Sequence, residues 1–434
     1  MHGTLPPDDP QRQELHAEVH ARPTAPIRMP ARVLFIAVLN HAVSRDEETA
    51  HLRRLPGHGG LVAADLASNF LNLALDGATL KWERHGEFTR YTLVQALDPS
   101  PVPDPAAARL DLPALDPAWL RGIPGRTMAA VTLLMLSQDL ADPRAALDRI
   151  RPWFGEHPLV ASLTGRGHTL AATDFVLCDS GCEQFMLLAP ADTTPTRAGR
   201  VAARLLDLET YRLMALRGLP VAKAMGPLLG RAEADLADII ARMQAGPDSA
   251  DDQALLATLV SLAARVERAT ADSQYRFAAT RAYADIVEQR ITELHERPIP
   301  GTQTIGEFMR RRLSPAIATV AATERRLQSL AQRIERAGAL LRTRVDIATE
   351  AQNRELLAKL TRGQALQLKL QSTVEGLSIA AISYYVVSLI LYAAKAAKAA
   401  GLPIHPEMAA GLSIPLVLWG VWQLTRRIHA RLQH

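Results

Sequence analysis

The sequence predicts an α+β domain followed by long antiparallel α-helices and a C-terminal two-helix transmembrane hairpin. Three observations predict it. Residues of about 30–190 alternate short apolar runs with turn signals; from residue 197 onward apolar positions recur at steps of three and four; and two late stretches carry no charge. The 434 residues thus divide into an α+β cytosolic domain (1–196), a long-helix stalk (197–375), the hairpin (376–425) and a basic cytoplasmic tail (426–434).

In the first domain, RVLFIAVLN (32–40) is apolar and β-branched enough for a buried strand. Ser44 is a natural N-cap, with acids in the turn after it, so SRDEETAHLRRL starts a helix. TLKWERHGEFTRYTLVQAL (79–97) reads as two strands turning at Gly86. The proline-rich stretch 97–117 is a loop. RTMAAVTLLML (126–136), HTLAATDFVL (168–177) and CEQFMLLA (182–189) add strands, and a helix starts after Asp142 with Pro143 at its first position.

The stalk begins with RAGRVAARLLDLETYRLMALRGLP, which the Gly218–Pro220 turn should end. Further helices are expected over about 221–246 and 250–296, and Thr304 with Glu307 fits a capping box for the next. From Pro315, apolar or small residues recur at Leu327, Leu330, Ile334, Ala337, Leu341 and Val345 and on to Leu370. If unbroken, 316–394 would be about 120 Å long at the standard rise. Polar interruptions such as Gln352 favour packing against neighbouring helices over a clean two-stranded coiled coil.

The two uncharged runs, 376–394 and 408–424, approach the roughly 20 residues that cross a bilayer. Gly401, Pro403 and Pro406 break the chain between them, while Trp419, Trp422 and the following arginines suit a membrane interface. The alternative is a pair of buried core helices. Arg362, Lys369, Arg426, Arg427 and Arg431 outside the runs, against Lys395 and Lys398 between them, place both termini in the cytoplasm. The opening MHGTLPPDDPQRQ has no apolar core for a secretory signal.

A formal charge of +4 gives no support for nucleic-acid binding, and Cys178 and Cys182 in CDSGC match no redox or zinc spacing. No phosphate loop, dinucleotide fingerprint or nucleophile elbow is found, so neither a cofactor nor catalysis is expected. Three sets of residues could still carry chemistry. Glu83, His85 and Glu87 alternate in WERHGEF, so on one strand they would point one way and could hold a divalent cation or act as acid and base. Solvation, or pairing with Arg84 and Arg90, is the plainer alternative. His16, Glu18 and His20 have the wrong offset for a zinc peptidase, and a structural role is expected. Ser378, Tyr385, Ser388 and Tyr392 form a hydroxyl stripe on the first span, for helix packing in a hairpin or oligomer, or for a pore.

The segments AEVHARP (17–23), LKWERHGEF (80–88), ETYRLMALRGLP (209–220), YRFAATRAYADIVEQRI (275–291), LLRTRVDI (340–347) and LQSTVEGLSIAAISYYVV (370–387) occur in this order. Together they closely resemble the bacterial family known as domain of unknown function 3422 (DUF3422), described as uncharacterised membrane-anchored proteins. The resemblance implies an anchored protein of the bacterial inner membrane and supplies no catalytic residues. The layout also resembles CorA-type divalent-cation channels, but LYAAKAAKAAG stands where those carry Gly-Met-Asn. The expectation is a multi-pass, self-associating binding or scaffold protein on the lipid bilayer, with a CorA-like ion channel or a membrane-tethered metal-dependent enzyme as alternatives.

Overall fold

The computed structural model describes residues 9–12, 15, 25–98, 115–245, 249–400 and 405–432. His16, Glu18 and His20, most of the 97–117 loop, residues 401–404 and the side chains of Arg426 and Arg431 lie outside them. Two compact units divide the chain: residues 1–241 with 259–336, and residues 242–258 with 337–434.

The first unit holds a mixed sheet. Its strands are β1 (Ala31–Leu39), β2 (Phe70–Leu75), β3 (Ala78–Arg84), β4 (Phe88–Ala96), β5 (Arg126–Ser137), β6 (Val160–Thr164), β7 (Thr169–Leu177), β8 (Glu183–Ala189) and the two-residue β9 (Arg297–Pro298). Their order is β2-β3-β4-β1-β5-β8-β7-β6-β9. Every neighbouring pair is antiparallel except β5 and β8. Two short helices follow β1 and precede β5, α1 (Arg45–Leu52) and α2 (Pro117–Arg121); α3 (Pro143–Ile150) follows β5. Ser44 starts α1 as expected: its hydroxyl accepts from Glu47 N–H at 3.2 Å, and the Glu47 carboxylate accepts from Ser44 N–H at 2.7 Å.

Burial explains why β1 reads as an unbroken apolar run. Val33, Phe35 and Ala37 pack into a core shared with the helices after the sheet, while Leu34 and Val38 pack on the opposite face with Leu52 of α1 and Trp119 of α2. A strand covered on both faces has no polar side to show. Each of the valines and leucines, and Phe35, contributes about 1.5–3 kcal/mol of burial. Leu134, Leu136, Met186 and Leu188 carry the second face onward to α3.

Long helices follow: α4 (Pro195–Leu216), α5 (Gly218–Gln244), α6 (Ser249–Leu294), α7 (Ile305–Ala399) and α8 (Pro406–Leu432). The break expected at 218–220 falls at Arg217 instead. Gly218 opens α5, and Pro220 sits in its first turn, where a missing N–H leaves no hydrogen bond unmade. The cap expected at Thr304 forms: α7 begins at Ile305, and Thr304 Oγ1 accepts from Glu307 N–H at 3.1 Å. Within the first unit, Arg310 pairs with Glu288 at 3.0 Å and Arg281 pairs with Glu324. Numbers rise on one helix as they fall on the other, so α6 and α7 run antiparallel there.

In the second unit, Arg344 of α7 pairs with Asp252 of α6 at 2.8 Å. Beyond it α7 is exposed turn after turn, leucines included, through Leu356, Leu360, Leu366 and Leu370. The last part of α7 and residues 406–425 of α8 are each long and apolar enough to cross a membrane by length and composition.

Candidate functional site

The site follows from strand alternation. In β3, Leu80 and Trp82 enter the core beneath α1 and α2, so Thr79, Lys81 and Glu83 face the other way. In β4 the same rule turns Arg90, Thr92 and Val94 toward that second face, with Glu83 directly opposite Arg90. Together with α4 these strands enclose a cavity of about 610 Å³. Phe35, Val94, Ala202 and Leu206 supply apolar wall; Lys81, Glu83, Arg90, Asp207 and Arg290 supply charge. The segment 25–27 closes one side, with Ile27 N–H donating to Pro195 C=O at 3.0 Å. It reaches α4 only because residue 199 is glycine: a β-carbon there would stand 2.1 Å from the Ala25 carbonyl oxygen.

Arg90 organises the charges. Its Nη1 donates to Asp207 Oδ1 at 2.7 Å, and Arg290 Nε donates to Asp207 Oδ2 at 2.9 Å. Lys81 pairs with Glu83 at 2.9 Å. The Arg90 guanidinium carbon lies 5.3 Å from the Tyr211 ring centre, 5.4 Å from Phe88 and 6.0 Å from Phe35. Burial opposes its charge, but Asp207, Tyr211 and Glu83 outweigh that and raise its pKa. Arg90 is 7% exposed, and its Nε and Nη2 have no hydrogen-bond acceptor.

Of the expected triad, Glu83 and His85 line this cavity and Glu87 does not. The alternation that would align all three stops at Arg84, where β3 ends; His85 and Glu87 belong to the turn. The His85 ring instead stacks on Phe88 at 4.6 Å between centres. Glu87 accepts from Tyr275 Oη at 2.8 Å and Tyr283 Oη at 3.3 Å, and pairs with Arg217 at 3.2 Å and with Arg276. Burial would raise its pKa, but those hydrogen bonds and the two guanidinium groups hold it below the usual carboxylate range. Among the described residues no group of three or more His, Cys, Asp and Glu is gathered where it could hold a metal.

A second buried charge cluster underlies the ETYRLMALRGLP motif. Arg212 donates to Glu183 Oε1 at 2.7 Å and to Glu209 Oε1 at 2.5 Å, and stacks 5.5 Å over Phe175. Burial first, and the Glu209 carboxylate second, push Glu183 up to about 8. Of these charges the sequence pointed to Arg90 alone, as a pairing partner for the WERHGEF strand; Glu183, Glu209, Arg212, Asp207 and Arg290 were not singled out. The available signal was a charge at an inward position: Arg90 in the alternation of FTRYTLV, Asp207 and Glu209 in the apolar face of ARLLDLETY.

The hydroxyl stripe of the first apolar run is outward. Ser378, Tyr385 (68%) and Tyr392 (67%) are exposed and Ser388 is half-buried. The Ser378 hydroxyl donates to Val374 C=O at 2.9 Å. The buried serine of this run is Ser383.

A family model described as "Protein of unknown function (DUF3422)" matches residues 7–432. No curated protein and no solved structure matches the chain.

Proposed function

This chain belongs to the DUF3422 family of proteins of unknown function, and from that premise we propose that it is a membrane-anchored binding protein. Its C-terminal helices sit in the lipid bilayer as a hairpin, and its sheet domain presents a ligand cavity on the cytoplasmic side. One observation carries the anchoring: only 6% of the most apolar stretch of either helix is buried within the chain. A core helix of a soluble protein would be covered; these leave Leu389, Leu412 and Leu416 open, and hydrocarbon is the environment that removes that area from water.

The positive residues flanking the runs favour both termini in the cytoplasm of a bacterial inner membrane. Self-association follows from the same exposure, because Tyr385 and Tyr392 need partners at membrane depth and a second copy supplies them. Binding fits the cavity better than catalysis does. Glu83 is tied to Lys81 and Asp207 to two arginines, so neither carboxylate is left to act as a base.

Flotation tests the anchoring. Purified full-length chain reconstituted with liposomes should rise with them through a density gradient and stay associated in high salt. Chain left at the bottom of the gradient would contradict the proposal.

A further inference from the structure

The cavity between β3, β4 and α4 has more positive than negative groups on its wall: Lys81, Arg90 and Arg290 against Glu83 and Asp207. Both carboxylates are already engaged. Asp207 takes one arginine on each oxygen, and Glu83 takes Lys81. Among the described residues of this wall, the cationic donors buried without an acceptor are the Nε and Nη2 of Arg90. In arginine these two donors lie side by side in one plane, spaced to take both oxygens of a carboxylate or two of a phosphate. A buried cationic edge left unpaired loses the desolvation free energy of its donors, on the order of 1–3 kcal/mol.

We infer that the cavity takes a small ligand carrying a single carboxylate or phosphate-type oxyanion on an apolar body, with the oxyanion bound by Arg90. The inference rests on the binding role proposed above. The rings of Phe35, Phe88 and Tyr211 around Arg90 keep water from it, which strengthens a charge-assisted hydrogen bond made there. Both donors are covered by protein atoms, so the oxyanion reaches them only if neighbouring side chains move aside. The body of the ligand meets Ile27, Phe35, Val94, Ala202 and Leu206, which offer dispersion contact and no further charge. The volume of about 610 Å³ is in the range of small-molecule sites.

The test titrates full-length chain in lipid nanodiscs by calorimetry with benzoate, phenyl phosphate and neutral benzyl alcohol. Binding of either anion in preference to benzyl alcohol is expected, and the stronger of the two identifies the oxyanion. Arg90→Gln should weaken it by about tenfold or more. Because Arg90→Gln also loosens Asp207, a second variant, Thr92→Phe, fills the cavity from its floor and should abolish binding with the ion pairs intact. Equal binding of benzyl alcohol, lost in Thr92→Phe, would overturn the oxyanion and leave the cavity as a binding site. Anion binding untouched by both variants, or no binding of any probe, would overturn the inference, while the anchoring stands or falls on flotation alone.

Discussion

Gly218 at the start of α5 lies against Thr280 of α6: a β-carbon built at Gly218 would stand 2.3 Å from the Thr280 hydroxyl oxygen. That hydroxyl is itself committed, donating to Ala215 C=O at 3.1 Å. The contact ties the ETYRLMALRGLP segment to YRFAATRAYADIVEQRI, two of the motifs that carry the family resemblance.

Gly218→Ala should therefore destabilise the sheet-domain unit by about 1–3 kcal/mol, the range for overpacking a filled interior. The intrinsic helix preference for alanine acts the other way and is smaller, about 1 kcal/mol at most. Thr280→Ala in the same chain removes the colliding atom and should recover much of the loss. Denaturant unfolding of the single and double variants measures both.

Asp207→Asn should be among the more damaging single changes away from the apolar core. It leaves Arg90 and Arg290 facing each other without their shared carboxylate. Removing one member of a buried ionic cluster costs about 3 kcal/mol or more. Circular dichroism melts of wild type and variant would show the drop, and Asp207→Ser should be no better than Asp207→Asn.

The two buried titrations have opposite signs. Glu183 has a folded pKa near 8, above the ordinary 4.5, because burial and Glu209 disfavour its anion. The folded chain then holds a proton that the unfolded chain has released. This contribution is complete below about pH 4.5 and is lost as pH rises to about 8. Unfolding midpoints measured from pH 6.5 to 8, above the window in which His51 titrates, should fall in wild type and flatten in Glu183→Gln.

His51 behaves the other way. Burial first, then the nearby Arg54, lower its pKa from 6.5 to about 4. The ring is stacked on Trp119 at 4.3 Å, and neither nitrogen has a partner. Its contribution is present above about pH 6.5 and is lost as pH falls to about 4. Because Glu183 offsets this between about pH 4.5 and 6.5, the acid sensitivity should appear in Glu183→Gln and be removed when His51→Gln is added to it.

Cysteine chemistry checks the orientation. Cys178 is exposed on the sheet domain, whereas Cys182 is buried and its thiol pKa is raised by that burial. A membrane-impermeant maleimide added to intact spheroplasts should leave both unlabelled, and lysis should allow labelling at Cys178. Labelling before lysis would put the domain on the outer side.

How much of this was legible in the sequence differed by element. β1, β5 and β8 were visible as apolar runs, since central strands bury both faces. β2 (FLNLAL) and β6 (VASLT) were not, because strands that short carry too little pattern to stand out from loops. The start of α1 was legible through Ser44 and Glu47, whose geometry is local. The start of α7 was legible in the same way, through Thr304 and Glu307, and Pro315 lies inside the helix.

The cavity was only half legible. Glu83 and His85 stood out as titratable residues on a strand, but the same rule pulled in Glu87, which the turn diverts to Tyr275, Tyr283 and two arginines. Arg90 and Asp207 are 117 residues apart, and nothing in either neighbourhood announces the other. Only the packing of α4 across β4 turns two isolated charges into a site.

The most direct measurement is alkaline carbonate extraction of membranes from cells making the full-length chain, followed by ultracentrifugation. Anchoring by α8 and the end of α7 predicts that the chain stays in the pellet through the alkaline wash and enters the supernatant only with detergent. Recovery in the supernatant after carbonate alone would contradict it.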